Sequence, residues 1–182
     1  MKRLLALLSL VVAAPAAAVP WTVVPAQSRI AFTATWLGKA VPGVFRVWSA
    51  AIDFDPATPA AARIAVTIDL ASAATGDKTV DGALPGADWF ATGSGRSARF
   101  VASRVTGSAG RFVASGTLTL RGRAVPVTLP FTYAVAGDTA TVVGQLNLDR
   151  RRWSVGSDSD STAEYVAFAV PVVVRVVAKR GK

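Results

Sequence analysis

Alternating apolar positions mark a hairpin in the middle of the chain. Around the turn Arg121-Gly122-Arg123, every second residue is apolar, at Gly116, Leu118, Leu120, Val125, Val127, Leu129, Phe131 and Tyr133. This period of two is typical of paired strands with one face turned away from water. The segment therefore predicts two antiparallel strands joined by a tight turn.

The same alternation recurs along the chain, and Gly, Pro, Asp and Ser fall between the alternating stretches, where the backbone must reverse. No linker, repeat or change of composition divides the chain, so we expect one all-β domain. The pattern predicts eight strands, enough to close an antiparallel barrel, at Arg29 to Trp36, Val44 to Phe54, Arg63 to Leu70, Ser97 to Val105, Arg111 to Leu120, Ala124 to Val135, Thr139 to Leu148 and Tyr165 to Ala178.

Two stretches depart from this period. Between residues 75 and 90, Val80, Ala83 and Leu84 have helical spacing behind Asp77, a residue type that caps helices. We expect one short helix there, near a barrel mouth. The run SDSDS at 157 to 161 lacks the glycine and the bidentate glutamate of a calcium-binding EF-hand loop, so it predicts a solvated loop.

The first eighteen residues have the features of an export signal. Lys2 and Arg3 precede an apolar run from Leu4 to Val12, and Ala16-Ala17-Ala18 fits a small-residue cleavage site. The apolar run is shorter than the ~20 residues that a membrane-spanning helix requires. We therefore expect residues 1–18 to be a cleaved signal peptide, residues 19–182 to form the barrel domain, and the protein to be exported.

Net charge and residue composition limit the classes of partner that the chain can bind. The chain has a formal net charge of +9, to which the leader contributes Lys2 and Arg3, and it contains no cysteine and no histidine. Arg150-Arg151-Arg152 and the tail Lys179, Arg180 and Lys182 favour anionic partners such as phosphorylated lipids or membrane headgroups. Nucleic acid is disfavoured, because no recognition helix or aromatic RNA-binding motif is present.

The residue inventory argues against an enzyme. Without histidine and cysteine, the commonest general base, the thiol nucleophile and most zinc or iron ligand sets are missing. Most aspartates occupy turn-like positions, and neither Lys39 nor Lys78 lies beside a recognisable nucleophile motif. We expect a non-enzymatic protein with no metal and no cofactor, and an uncharacterised hydrolase is the remaining enzymatic alternative.

Large and small apolar residues alternate along one phase of the predicted strands. Such a pattern suits either a solid, interdigitated core or an open apolar lumen. Arg46 and Arg150 are candidates to bind a charged headgroup, but the sequence favours a snorkelling rim position for Arg46 and a solvated turn for Arg150 over that role. The candidate lining residues are Phe32, Trp36, Trp48, Phe54, Phe100, Phe112, Ala114, Leu118, Phe131 and Phe168.

Four segments in order resemble one family. They are VPGVFRVWSAAIDFDP at 41–56, Thr75-Gly76 followed by Val80-Asp81 and Leu84, GTLTLRGRAVPVTLPF at 116–131, and LDRRRWSVGS at 148–157. Together they resemble the YceI-like polyisoprenoid-binding family across nearly the whole chain after the leader.

The resemblance implies an extended, lipocalin-like antiparallel β-barrel in the periplasm. It also implies that the lumen binds a long isoprenoid, such as a quinone or a polyprenyl phosphate, and so favours the open lumen over the solid core. A filled barrel that docks on a membrane or protein partner through its basic surface is the alternative. Peripheral membrane contact and homodimer formation are both compatible with the sequence.

Overall fold

The computed structural model describes residues 21–180, so the predicted leader and Lys182 lie outside the described residues. Strands dominate this part of the chain, as the alternation predicts. They are β1 (Trp21–Val23), β2 (Arg29–Trp36), β3 (Lys39–Phe45), β4 (Trp48–Asp53), β5 (Arg63–Asp69), β6 (Ala73–Ala74), β7 (Ser97–Ser108), β8 (Arg111–Leu120), β9 (Arg123–Ala136), β10 (Thr139–Asp149) and β11 (Ala169–Arg180).

All strand pairs are antiparallel and belong to one curled sheet. Its order is β4-β5-β7-β8-β9-β10-β11-β2-β3-β6, and β1 pairs with the end of β11. The ends of this path, β4 and β6, are not paired with each other within residues 21–180. The indole Nε1 of Trp21 on β1 donates to the carbonyl oxygen of Phe54, 3.3 Å away and just after β4. A side-chain contact therefore joins β1 to the β4 side of the barrel.

The central hairpin is confirmed. Leu120 pairs with Arg123 across a two-residue turn, in which Arg121 has a φ of 50° and Gly122 a φ of 71°. Positive φ at both turn residues gives the turn the twist that flanking strands need. This turn fixes the register that brings Leu118 opposite Val125 and Gly116 opposite Val127.

The barrel prediction is confirmed, but the structure contains eleven strands rather than eight. The predicted strand from Val44 to Phe54 is two strands, because the backbone bends at Arg46 and Val47 and both residues hydrogen bond to Ser72. The upstream half of β3 was missed because Pro42 and Gly43 interrupt its pattern. β1 and β6 are too short, at three and two residues, to produce a recognisable alternation.

The short helix is also confirmed, with narrower bounds than the segment 75–90. Helix α1 spans Lys78–Ala83, and the Asp77 carboxylate accepts hydrogen bonds from the amides of Thr79 and Val80. Pro85 follows closely and cannot continue a helix. Short 3₁₀ turns complete the described chain at Pro25–Gln27, Pro59–Ala61, Leu70–Ser72 and Arg150–Trp153. No helix among the described residues is long and apolar enough to cross a membrane.

Candidate functional site: an apolar lumen

The inward faces of the strands enclose a cavity of about 260 Å³. Aliphatic and aromatic side chains form its wall, and β11 alone contributes Val170, Val172, Val174 and Val176. No carboxylate, amide or aliphatic hydroxyl lines it among the described residues. The polar side-chain atoms of the wall belong to Tyr133, Arg150 and the indoles of Trp21, Trp48, Trp89 and Trp153.

Small residues opposite large ones keep this space open. The ring of Phe32 lies over Gly43, its partner on β3, and a methyl group at Gly43 would come within 2.7 Å of the ring carbons Cε1 and Cε2. Phe100 lies over Gly116 in the same way, with a corresponding distance of 2.8 Å. These rings lie against the barrel wall because glycine presents no side chain there. The inward-facing apolar residues of the strands therefore form both a cavity wall and a packed region.

The packed region is an aromatic cluster at the end of the barrel where β8 begins. Phe54 and Phe112 meet edge to face with ring centroids 5.0 Å apart, and Phe112 stacks on Phe131 at 5.6 Å. Tyr133 completes the cluster, with its ring 5.1 Å from that of Phe54. Burial raises the pKa of the Tyr133 hydroxyl above its ordinary value. This end of the lumen is closed by the chain's own side chains.

The segment after α1 covers the opposite end, where β8 meets the 121–122 turn. Leu84, Trp89 and Phe90 line the cavity from this segment, and the Phe90 ring lies 5.9 Å from that of Phe45. Arg121 holds the segment by donating to the carbonyl oxygens of Ala87, Asp88 and Ser154. We call residues 84–90 the cover segment.

The Asp88 carboxylate ties the cover segment to the loop at 157–161. It accepts hydrogen bonds from the amides of Asp158 and Ser159 and from the Ser159 hydroxyl. Burial raises the pKa of Asp88, but these hydrogen bonds outweigh it and leave the pKa below its ordinary value. The loop at 157–161 therefore holds the cover segment in place, whereas the sequence predicts only a solvated loop.

Seven of the ten candidate lining residues face the cavity, and three do not. Trp36 has 45 % of its surface exposed and lies beyond the rim, where its backbone forms an isolated antiparallel β-bridge with Val166. Phe112 is packed inside the aromatic cluster. The ring of Phe168 is covered by the guanidinium groups of Arg150 and Arg151 at 5.2 and 4.0 Å. The seven that line the cavity are Phe32, Trp48, Phe54, Phe100, Ala114, Leu118 and Phe131.

Arg150 reaches the cavity wall, but its geometry does not support the predicted headgroup role. The residue is 4 % exposed, and its guanidinium donates to the carbonyl oxygens of Val155, Gly156, Asp160, Val166 and Ala167. Nη2 also forms a buried ion pair with the Asp160 carboxylate at 2.8 Å. No donor remains to bind a phosphate, so Arg150 holds the loop around the mouth together, and the solvated-turn alternative is excluded as well.

Asp160 is the buried partner of Arg150, and it lies in the loop that the sequence predicts to be solvated. Burial raises the pKa of Asp160, but the amides of Val166 and Tyr165 and the charge of Arg150 outweigh this effect. The pKa therefore lies below its ordinary value. The carboxylate is held ionised by contacts that the sequence alone does not reveal.

Arg46 lies outside the cavity, on the exposed bend between β3 and β4. Its phase on the predicted single strand suggested an inward position, but the bend at Arg46 and Val47 turns it to solvent. Hydrogen bonds from Thr75 hold the pKa of nearby Asp81 below its ordinary value, and the charge of Arg46 contributes to this. Arg46 therefore has no access to a guest inside the lumen.

The sequence interpretation missed several lining residues. Trp21 precedes the first predicted strand, Phe45 sits at the unrecognised break, and Trp89 and Phe90 follow the helix. Trp89 and Phe90 are adjacent aromatic residues in a segment without a strand pattern. Because large apolar side chains are usually buried, this pair could have indicated that the segment packs against the barrel.

Comparison with known proteins decides the family. A family profile for the YceI-like domain matches residues 21–178. The chain belongs to the YceI-like family. Among curated proteins, no sequence matches it.

Solved structures share the fold. The crystal structure of Burkholderia cenocepacia BcnA is 32 % identical, with a TM-score of 0.83 over 86 % of this chain and 99 % of that one. The Campylobacter jejuni YCEI protein is 21 % identical, with a TM-score of 0.72 over 79 % and 87 % of the two chains. A polyisoprenoid-binding domain from Saccharophagus degradans, implicated in plant cell wall breakdown, is 17 % identical, with a TM-score of 0.70 over 90 % and 99 %.

Proposed function

We propose that this YceI-like protein binds an isoprenoid lipid in its lumen and carries it in the periplasm without converting it chemically. The observation that carries this proposal is the cavity of about 260 Å³ with its apolar wall. Ligand pockets typically measure ~300–1,000 Å³, so the volume of this cavity lies just below that range. The name of the Saccharophagus degradans domain supports the choice of an isoprenoid guest.

The affinity for such a guest comes from burial of its tail. Each Å² of apolar surface removed from water contributes about 25 cal/mol, and an apolar cavity has no ordered water that the guest must displace from polar partners. The aromatic rings of Phe32 and Phe100 lie against glycines of the wall and border the cavity. A prenyl tail has the slender apolar shape that this space accepts.

The cavity wall favours a guest with a neutral headgroup. A phosphate requires donors that are free to bind it, usually from arginine. Among the described residues, Arg150 is the one cation in the cavity wall and has all its donors engaged, and Arg46 is outside the cavity. An isoprenoid quinone therefore fits the lumen better than a polyprenyl phosphate, whose headgroup would have to remain beyond the mouth.

Simple carriage, rather than catalysis, agrees with the chemistry of the wall. General acid–base and nucleophilic catalysis need a titratable side chain within reach of the bound molecule. The cavity wall offers a tyrosine and an arginine that is fully hydrogen bonded, and the chain has no histidine or cysteine. The predicted leader at residues 1–18 supports export to the periplasm.

Extraction of the purified protein tests this proposal. We expect organic solvent to release a prenyl lipid, identified by mass spectrometry as a quinone in about molar proportion to protein recovered from the cell envelope. A parallel extraction of the Val172→Phe variant, in which a ring occupies the lumen, should release much less. Equal lipid in both preparations, or none in the native protein together with no uptake of added isoprenoid quinone, would contradict the proposal.

A further inference from the structure

One outer face of the barrel is basic and almost free of carboxylates. The outward positions of β2, β7, β8 and β11 carry six exposed cations, which we call the basic wall: Arg29, Arg99, Arg104, Arg111, Arg175 and Lys179. Strands β2, β7, β8, β9 and β11 contain no Asp or Glu at all, and β10 contains only its last residue, Asp149.

The cations of the basic wall are not neutralised by the chain itself. The ion pairs among the described residues are Arg96 with Asp69, Arg150 with Asp160 and Arg151 with Asp149, none of which includes a basic-wall residue. Cations on the paired strands β2 and β11, and on the paired strands β7 and β8, create a positive potential that attracts anions. This part of the surface is therefore available to an anionic partner.

Register brings two of these cations together. Arg29 and Arg175 are direct partners across β2 and β11, and like charges at such positions repel each other. The same row continues through Val143 and Thr132 to Arg111 on β8. A phosphate placed against Arg29 and Arg175 would accept hydrogen bonds from both guanidinium groups and relieve the repulsion.

The remaining side chains of the row distinguish a lipid surface from other polyanions. Val143 lies between Arg175 and Arg111 in the row and is 38 % exposed. Outside the row, Val101 is 37 % exposed on β7, the strand of Arg99 and Arg104. Apolar groups between cations suit contact with headgroups and the acyl chains beneath them. The wall presents no aromatic side chain for stacking nucleic acid bases.

We propose that the basic wall docks the barrel on an anionic membrane surface. This inference rests on the proposed function, because an isoprenoid guest resides in a membrane and a carrier must reach that membrane to load or release it. Anionic lipids attract a basic surface with an affinity that rises about fivefold for each Lys or Arg close to the headgroups. Docking through this face brings the barrel to the lipid without using any residue of the cavity wall.

Sedimentation with vesicles tests the proposal. The wild type should bind vesicles of phosphatidylcholine containing about one third phosphatidylglycerol, and it should bind pure phosphatidylcholine weakly. The triple variant Arg29→Gln/Arg111→Gln/Arg175→Gln should lose roughly 100-fold in affinity for the anionic vesicles, from about fivefold per cation. High salt should weaken wild-type binding, because exposed charges are screened.

A matched control removes three exposed cations from other surfaces. Lys39→Gln/Lys78→Gln/Arg152→Gln changes the net charge equally, and we expect it to reduce affinity by less than about threefold because these exposed charges do not belong to the basic wall. Equal losses in the two triple variants, or no binding of the wild type to anionic vesicles, would overturn the proposal. Circular dichroism and Tm would establish that both variants are folded.

Two further measurements separate the alternatives. The first measures binding of inorganic polyphosphate. If it binds the wild type as tightly per phosphate as the vesicles do, and the triple variant of the basic wall loses affinity for polyphosphate and vesicles equally, the partner is a soluble polyanion. That result would overturn the membrane proposal. In detergent solution, the wall variant should bind an isoprenoid quinone as the wild type does. Vesicle binding by a wild type that takes up no isoprenoid would preserve the docking surface and overturn the proposed function instead.

Discussion

The ring of Phe32 lies over Gly43, its direct partner on the neighbouring strand. A side chain at residue 43 would overlap the outer end of that ring, which is the part of Phe32 that moves most easily. Because Phe32 is 6 % exposed and lines the cavity, the ring would move towards the lumen. The free volume of the barrel therefore depends on the absence of one β-carbon.

Replacing Gly43 with alanine should reduce the affinity for an isoprenoid quinone by several-fold, because the displaced Phe32 ring occupies space that the guest needs. Fluorescence titration of the purified variant measures this. The double variant Gly43→Ala/Phe32→Leu should recover most of the affinity, since the smaller leucine leaves room for the new methyl group. Losses that simply add in the double variant would show that the two positions are not coupled through the ring.

The buried ion pair should be essential for stability rather than for binding. Removing one partner of such a pair typically costs about 3–5 kcal/mol, which corresponds to a fall in Tm of roughly 6–20 °C for a domain of this size. We expect this loss for Arg150→Leu, measured by thermal unfolding. The exposed neighbour Arg152→Leu should change stability by less than about 0.5 kcal/mol. An unchanged Tm in Arg150→Leu, with weakened binding of a polyprenyl phosphate, would restore the headgroup role.

Below about pH 8, stability should decline only in acid. The pKa of Asp160 is lower in the folded protein than in the unfolded chain, so its contribution is present above the unfolded value of 3.8 and is lost as the pH falls through the folded value. Hydrogen bonds from Arg151 and Arg96 lower the pKa values of Asp149 and Asp69 in the same direction.

Thermal unfolding across pH measures this effect. The Tm should be nearly constant from about pH 8 to pH 5, because the chain has no histidine to titrate there, and it should fall below about pH 4. Asp160→Asn should have a lower Tm at neutral pH, and its difference from the wild type should shrink in acid. A main transition near pH 6 would show that a different group controls stability.

The cover segment should control retention of the guest. Trp89 lines the cavity, so Trp89→Ala should remove apolar contact and open the mouth, and we expect the dissociation of a bound isoprenoid quinone to accelerate about tenfold, a change of about 1.4 kcal/mol. Stopped-flow release into excess vesicles measures the rate. Trp36→Ala is the matched control, because Trp36 is exposed beyond the rim. Equal acceleration in both variants would exclude a specific role for the cover segment.

Local patterns predict the barrel well because each strand carries its own signal. Leu118, Leu120 and Val125 alternate with polar residues, and the Arg121-Gly122 turn fixes how they pair. The cavity depends on relationships between strands that are distant in sequence, such as Phe100 over Gly116. The same phase contains Phe112, which packs in the cluster, and Phe32, which borders free space, so periodicity alone does not distinguish them.

The role of Arg150 could not be predicted for a similar reason. Its partners extend from Val155 to Ala167, and they converge on the guanidinium only after the loop folds over the barrel end. A run of three arginines indicates a basic surface, and two of them, Arg151 and Arg152, are indeed exposed. Arg150 differs from these two neighbours only in its tertiary environment, which the local sequence does not reveal.

The most direct test of the lumen compares phenylalanine at two adjacent positions of β11. Val172 points into the cavity beside Phe32, whereas Val173 lies on the opposite face of the strand. In an open lumen, Val172→Phe should retain nearly the wild-type Tm without ligand and lose at least about tenfold in affinity for an isoprenoid quinone, while Val173→Phe retains its affinity. A loss of about 1–3 kcal/mol of stability in ligand-free Val172→Phe with unchanged quinone affinity would instead indicate a solid core and contradict the account.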